Sequence, residues 1–330
     1  PKRGGAIPCK GLLGLVKFFQ MPKIVSIGEV LVEIMRKDVG VPLGTPADFI
    51  GPFPSGAPAI FADAAARLGA DVGFIGAIGN DPFGHLCYER LKQDGVDTSH
   101  LKIIPYKSTA CAFVAYSQDG SRDFIFHIKD TAADSISPED ISIDYFSQTE
   151  IIHICGSSLS VSEKMRNACI KSARIVKERG GRVFFDPNIR PQLLSIEEIR
   201  EIVKPILEVC DVLLPSGEEV SMLTGIQEPF SACESLADKM LVILKQGEKG
   251  CIAFTPEERI HSPAIKVDVV DPTGAGDCFA GALAVGMIEG MELPKLLRFA
   301  NIVAGLSITK KGPMEGAPTR EAVSELLGYF

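Results

Sequence analysis

Near the C-terminal end, Asp271-Pro-Thr-Gly-Ala-Gly-Asp277 runs straight into Cys278-Phe-Ala-Gly-Ala-Leu283, a small-residue stretch suited to a helix. The first N–H groups of a helix lack intrahelical partners and point toward any anion at its start. Gly274 and Gly276 let the backbone come close to such an anion. A carboxylate inside that nest would repel a phosphate, so Asp277 is out of place in a simple phosphate cradle. It fits if a proton must be removed beside the phosphate, which is the work of a general base. The plainer reading is a carboxylate favoured by the helix dipole. The Thr-Gly-Ala-Gly run ahead of Asp277 weighs for catalysis. Two other nucleotide signatures are missing. There is no G-x-x-x-x-G-K-[ST] of a P-loop. No G-x-G-x-x-G follows the first strand, and Gly76, Gly79 and Gly84 lack that spacing, which disfavours a dinucleotide-dependent oxidoreductase.

The elements that must hold this segment follow from hydrophobic periodicity. Runs at 23–27, 72–78, 151–154, 182–185, 212–214 and 241–244 predict short buried strands. Helical spacing at 57–68, 82–94, 162–179, 196–209, 276–289 and 294–309 predicts helices between and after them. A strand-like run at 267–270 leads into the glycine turn. This alternation implies a mostly parallel sheet covered on both faces. Residues 110–117 and 122–128 interrupt it as two β-rich runs joined by Gln118-Asp-Gly-Ser121, a hairpin signal. With the extended segment at 34–53, they predict a small second sheet acting as a lid. The chain reads as one domain over 21–330, with lid segments near 29–55 and 108–130. Residues 1–20 read as an appended or poorly ordered extension, with Met21 as the native start.

Composition narrows the partners. The 330 residues are 46% hydrophobic and 23% charged, with a net charge of −8. An acidic chain argues against a nucleic-acid partner, which would favour a basic stripe. No stretch reaches the length of a membrane span, predicting a soluble, cytoplasmic protein. The nine cysteines are odd in number and form no C-x-x-C pair, so they read as buried free thiols. The five histidines are scattered without metal-ligand spacing. His153, inside Ile-Ile-His-Ile, reads as a core histidine, and Cys278 as small-residue packing. His127 and Lys129 at the hairpin end read equally as substrate contacts or surface groups.

The ordered set of motifs resembles the ribokinase-like (PfkB) carbohydrate kinases over nearly all of 23–330. Asp271-x-Thr-Gly-Ala-Gly-Asp277 is similar to that family's C-terminal signature. Gly28-Glu29 with Glu33, Ser55-Gly-Ala-Pro-Ala59, Phe74–Gly84, Asp186-Pro-Asn-Ile-Arg190, Ser216-Gly-Glu-Glu219 and Lys245-Gln-Gly-Glu-Lys-Gly250 look like its other segments in order. The resemblance implies a three-layer α/β/α fold and ATP-dependent phosphorylation of a sugar hydroxyl. It implies that Asp277 is the base and that Gly274, Ala275 and Gly276 form an anion hole. Asn188 and Arg190 would lie near substrate and phosphates, while Glu33, Gly56 and Ala57 would face the sugar. On the nucleotide side it implies Lys245, Gly247 and Gly250, with Asn301 and Ala304 lining the adenine pocket. Glu219 would help hold Mg²⁺ through water, and Asp271 would be the candidate ligand of a monovalent cation such as K⁺. Lys245 reads equally as a solvated strand-end lysine. Relatives of this kind often pair through their lid sheets, implying a homodimer.

Two departures bear on the substrate. Ile60 stands where the family's sugar-contacting Asn is expected, with Ser55 in place of a Gly, and Ser216 replaces the Asn of the magnesium motif. Ile60 has no hydrogen-bonding side-chain atom, so the sugar must be read differently. The segments 28–33 and 214–219 and the Lys245 strand are similar to kinases of 2-keto-3-deoxygluconate, the favoured acceptor. Asp123–His127 and Ala132–Asp134 look more like kinases of fructose or tagatose. A nucleoside kinase comes third, and a silent sugar or nucleotide sensor is the rival that an intact Asp277 opposes.

Overall fold

A strand buried on both faces reads as a continuous apolar run, and Ile24–Ile27 (IVSI), wholly buried, is of that kind. The computed structural model describes residues 21–118 and 120–328. The expected extension at 1–20 lies outside the described residues, as does Asp119. In chain order the strands are β1 (Ile24–Ile27), β2 (Leu31–Arg36), β3 (Phe49–Ser55), β4 (Val72–Gly79), β5 (Leu101–Ile104), β6 (Ala110–Tyr116) and β7 (Arg122–His127). They continue as β8 (Ile151–Cys155), β9 (Arg182–Asp186), β10 (Val212–Leu213), β11 (Leu241–Lys245), β12 (Cys251–Phe254) and β13 (Arg259–Ser262). The helices are α1 (Ala57–Arg67), α2 (Pro82–Gln93), α3 (Gly156–Val161), α4 (Glu163–Glu178) and α5 (Ile196–Leu207). After them come α6 (Glu219–Thr224), α7 (Pro229–Ala237), α8 (Ala275–Ile288), α9 (Leu293–Ser307) and α10 (Arg320–Leu327).

Nine strands form one sheet in the order β13-β12-β11-β10-β9-β8-β1-β4-β5. From β11 to β5 all neighbours are parallel. The edge pair β12 and β13 is antiparallel, a hairpin the periodicity did not announce. Alternate side chains feed two cores. Ile24, Phe74 and Ile243 pack with α1, α8 and α9, whereas Val25, Ile75 and Val242 pack with α4, α5 and α7. The result is the expected ribokinase-like three-layer α/β/α arrangement. Small residues let α1 and α8 approach closely: a Cβ on Gly281 would stand 2.9 Å from the Phe61 carbonyl oxygen.

Residues 267–270 are not the expected strand. They carry no regular structure, and Val269 and Val270 are 60% and 53% exposed. The N–H groups of Val270 and Asp271 donate to the Ile308 carbonyl, so no sheet neighbour is available to them. An apolar run makes a strand only where an edge accepts it.

The second sheet has the order β3-β2-β6-β7. Its pairs are antiparallel except β2 with β6, in the register Leu31↔Ala110 to Met35↔Val114. Tyr116, at the end of β6, ties this sheet to the turn before α8. Its hydroxyl donates to Asp271 Oδ1 at 2.6 Å and lies 2.6 Å from Thr273 Oγ1. Asp271 is buried and also accepts from the N–H groups of Thr273 (3.1 Å) and Gly312 (3.0 Å). Tyr116→Phe leaves that buried carboxylate one donor short, an expected loss of ~1–3 kcal/mol. The denaturant midpoint of the variant checks it, with little change expected in the denaturant slope.

Candidate active site

Because side chains at the carboxyl ends of parallel strands converge, the ends of β1, β9 and β11 face a shared cavity of about 340 Å³. The inner face of the small sheet closes its other side, and the first turn of α8 projects into it.

Gly274 caps α8 with φ +83°, a left-handed conformation that suits glycine. A Cβ there would also stand 2.5 Å from the Pro313 carbonyl oxygen. Gly274, Ala275 and Gly276 line the cavity beside Asp277. Asp277 is 9% exposed. Burial, then the nearby negative charge of Asp186, pushes its carboxyl up to about 8 against the pull of Lys245 and Arg190.

Lys245 is not a solvated strand-end lysine. Its side chain is 11% exposed, and Nζ donates to Asp186 Oδ2 at 2.5 Å. A Cβ on Gly276 would be 3.3 Å from this Nζ, so the ammonium lies directly against the glycine turn. Glu219 accepts from the N–H groups of Ile189 (2.8 Å) and Ser216 (2.7 Å), joining two loops at the cavity wall. Burial and Asp186 raise its pKa. Asn188 holds φ +37°, unusual for a non-glycine residue, and its buried Oδ1 has no partner. Arg190 lines the same wall, its Nη1 donating to the Ile189 carbonyl at 3.1 Å.

On the opposite side, Ser55 Oγ donates to Glu33 Oε1 at 2.6 Å. Oε2 of Glu33 is buried without a partner, and burial pushes this carboxyl up to about 7. Gly56, Ala57 and Ile60 complete the floor between β3 and α1. Gly56 has φ +110°, and a Cβ there would stand 2.6 Å from the Glu29 carbonyl oxygen.

The sequence reading missed the wall supplied by β7. Arg122, Phe124, Phe126 and, just beyond the strand, Ile128 line the cavity. Phe124 and Phe126 stack at 5.3 Å with 7° between their planes. Strict alternation along β7 could have found them, because successive strand side chains point to opposite faces. The same alternation turns His127 outward, where its ring meets the edge of Phe113. Lys129 is exposed as well.

Several expected site residues lie elsewhere. Gly247 and Gly250 shape the turn between β11 and β12 and do not line this cavity. A Cβ on Gly250 would stand 2.1 Å from the Ser262 carbonyl oxygen, so this glycine serves the packing of the edge hairpin. Asn301 Nδ2 donates to the Ser262 carbonyl (2.9 Å) and Oγ (3.0 Å), bracing β13 from α9. Ala304 packs against the same core and is outside the cavity. Asp271 accepts from Tyr116, Thr273 and Gly312, with the Lys311 ammonium 4.0 Å from Oδ2. His153 is a core residue, stacked on Phe61 at 3.9 Å and held neutral by burial, its pKa pushed down to about 3. Burial raises the Cys278 thiol and makes it inert packing.

A glycine-rich helix start whose free N–H groups suit an anion, a buried carboxylate with a raised pKa and a second, smaller sheet over the cavity suit transfer of a phosphoryl group to a hydroxyl. Known proteins agree. The pattern of the pfkB family carbohydrate kinases matches residues 21–320. Fructokinase-2 of Solanum lycopersicum is 33% identical over 315 residues, 92% of this chain and 95% of that protein. A candidate ribokinase II from E. coli, solved both alone and with ATP and Mg²⁺, is 39% identical with a TM-score of 0.87, over 94% of this chain and 100% of that one. Fructokinase from Vibrio cholerae O395, solved with fructose, ADP and calcium, is 29% identical with a TM-score of 0.80, over 93% and 99%. On the match across its length, this chain belongs to the pfkB family of carbohydrate kinases.

Proposed function

We propose that this kinase transfers the γ-phosphoryl group of ATP to a primary hydroxyl of fructose or a closely related ketohexose. The carrying observation is Asp277, buried in the first turn of α8 beside the glycine turn. The fructokinase relatives support fructose ahead of 2-keto-3-deoxygluconate, which the motifs at 28–33 and 214–219 had favoured. Asp277 accepts the proton of the sugar hydroxyl, and the freed oxygen attacks the γ-phosphorus as the bond to ADP breaks. N–H groups of Gly274, Ala275 and Gly276 receive the charge that builds on the transferring group. Lys245, against the glycine turn, and Arg190 on the cavity wall add positive charge, with Asn188 in the same wall. Glu33, Gly56 and Ala57 hold the sugar. The small sheet serves as a lid that keeps water from competing with it.

Asp186 and Glu219 offer carboxylate oxygens at the wall, a donor set that fits a Mg²⁺ retaining most of its water. Bound with ATP, that ion supplies charge neutralisation on the phosphate oxygens. The nucleotide base lies toward α9, near Asn301 and Ala304, with Gly247 and Gly250 shaping the adjoining turn. Asp271 would offer Oδ2, which accepts from the Gly312 N–H, to a monovalent cation such as K⁺. The eight described cysteines are free and mostly buried, which supports a reducing compartment such as the cytoplasm. No described helix is long and apolar enough to cross a membrane.

ADP release is measured against fructose, tagatose, 2-keto-3-deoxygluconate, ribose and adenosine, with K⁺ and with Na⁺. One ketohexose is expected to give turnover, with slow ATP hydrolysis in its absence. Asp277→Asn is expected to lower kcat by about 10²- to 10⁴-fold while ATP still binds. Turnover that survives in Asp277→Asn overturns the role of the base.

The raised pKa of Asp277 sets a pH dependence. A base must be ionised, so kcat/KM falls as pH drops through about 8. Lys245 favours the ionised form, so Lys245→Ala moves this acid limb to higher pH. A limb that stays put in Lys245→Ala contradicts the assignment.

The outer face of the small sheet exposes Ile125 (46%) and Phe49 (37%) and supports a homodimer through these sheets. Light scattering is expected to give a dimer mass for the wild type and a monomer mass for Ile125→Asp.

A further inference from the structure

β1 and β8 are neighbours in the large sheet, yet the chain leaves them toward opposite sides: beyond β1 lies β4, and beyond β8 lies β9. In an open parallel sheet, the carboxyl ends at such a switch point border the crevice where ligands bind. Glu29 follows β1 closely, and Ser157 and Ser158 follow β8. Their side chains meet across the switch. Ser157 Oγ donates to Glu29 Oε1 at 2.5 Å, and Ser158 Oγ donates to Oε2 at 2.6 Å. Gly28 makes room for this. A Cβ there would stand 2.0 Å from Ser158 Oγ, and its φ is +155°. Glu29 and Ser157 both line the sugar side of the cavity, while Ser158 is fully buried behind them. The reaction scheme above uses none of the three.

A serine hydroxyl has one proton and two lone pairs. Ser157 spends its proton on Glu29, so toward the cavity it presents an acceptor. The Cys155 thiol, 3.0 Å from Ser157 Oγ, faces one lone pair at most. A group bound against Ser157 must therefore donate, and on a sugar that group is a hydroxyl. We propose that Glu29 and Ser157 form a hydroxyl-reading subsite for the acceptor, distinct from the hydroxyl that is phosphorylated. Glu29 orients the Ser157 rotor and Ser157 accepts the sugar proton. Ser158 fixes Glu29. The subsite also accounts for how a sugar is read when Ile60 offers no polar atom. It rests on the sugar-kinase reading above.

The test pairs variants with acceptor analogues. KM and kcat are measured for wild type, Ser157→Ala and Glu29→Gln with the acceptor that gives turnover and with its monodeoxy analogues. Direct binding of each sugar is measured by calorimetry. Ser157→Ala and Glu29→Gln are expected to raise KM about tenfold, the scale of one lost hydrogen bond, with kcat much less affected. One monodeoxy analogue is expected to show the same rise with wild type and no further rise with Ser157→Ala. Turnover by the wild type with KM unchanged in Ser157→Ala overturns the subsite alone, as do additive losses with every analogue. Absence of both turnover and sugar binding in the wild type overturns the acceptor assignment, and the subsite falls with it.

Discussion

The interaction on which the site depends is the buried ion pair of Lys245 with Asp186, set among further carboxyls. Asp277 and Glu219 share the same cavity, and each is pushed toward its neutral form by burial and by Asp186. Unpaired charges are costly in such a place, and a nearby cation relieves that cost. The Lys245 ammonium is the cation that lies against the glycine turn. Its pKa is raised on balance: burial opposes the charge, but Asp186 and Glu219 hold it. The neighbouring strands β9, β10 and β11 bring Asp186 and Lys245 together. The large sheet is thus the frame of an electrostatic arrangement that loop residues alone could not keep at hydrogen-bond distance.

The second sheet meets a different requirement. Its inner face carries Phe124 and Phe126 over a cavity whose floor is polar. Apolar cover lowers the effective dielectric beneath it, which strengthens the charge interactions of the floor and raises the cost of any polar atom left unpaired. Two such atoms, Glu33 Oε2 and Asn188 Oδ1, are buried along the cavity wall. Unsatisfied groups of this kind are rare in folded proteins, and a ligand that completes them gains from doing so. Tyr116 joins the small sheet to the turn that precedes α8, so the cover and the glycine turn are held by one hydroxyl.

The constraints converge on small residues. Gly28 admits Ser158, Gly274 clears the Pro313 carbonyl, and Gly281 lets α8 lie against α1. Each would be a collision with any larger side chain. At Gly274 and Gly281 the cause is shared: the first turn of α8 stands against Pro313 while the rest of the helix packs on α1.

Much of this was legible from the chain alone because it is local. The alternation of short apolar runs with helical spacing carried the three layers, and Thr-Gly-Ala-Gly-Asp277 carried the anion turn and its carboxylate within a few residues. The failures were of another kind. Residues 267–270 have a strand's composition but no edge to join. What only the tertiary structure decided are pairings distant in sequence: Lys245 with Asp186, Tyr116 with Asp271, Glu29 with Ser157. These depend on strand order and on which face each alternate side chain takes. Periodicity tells that a strand exists, but its neighbours are chosen by the packing of the whole sheet.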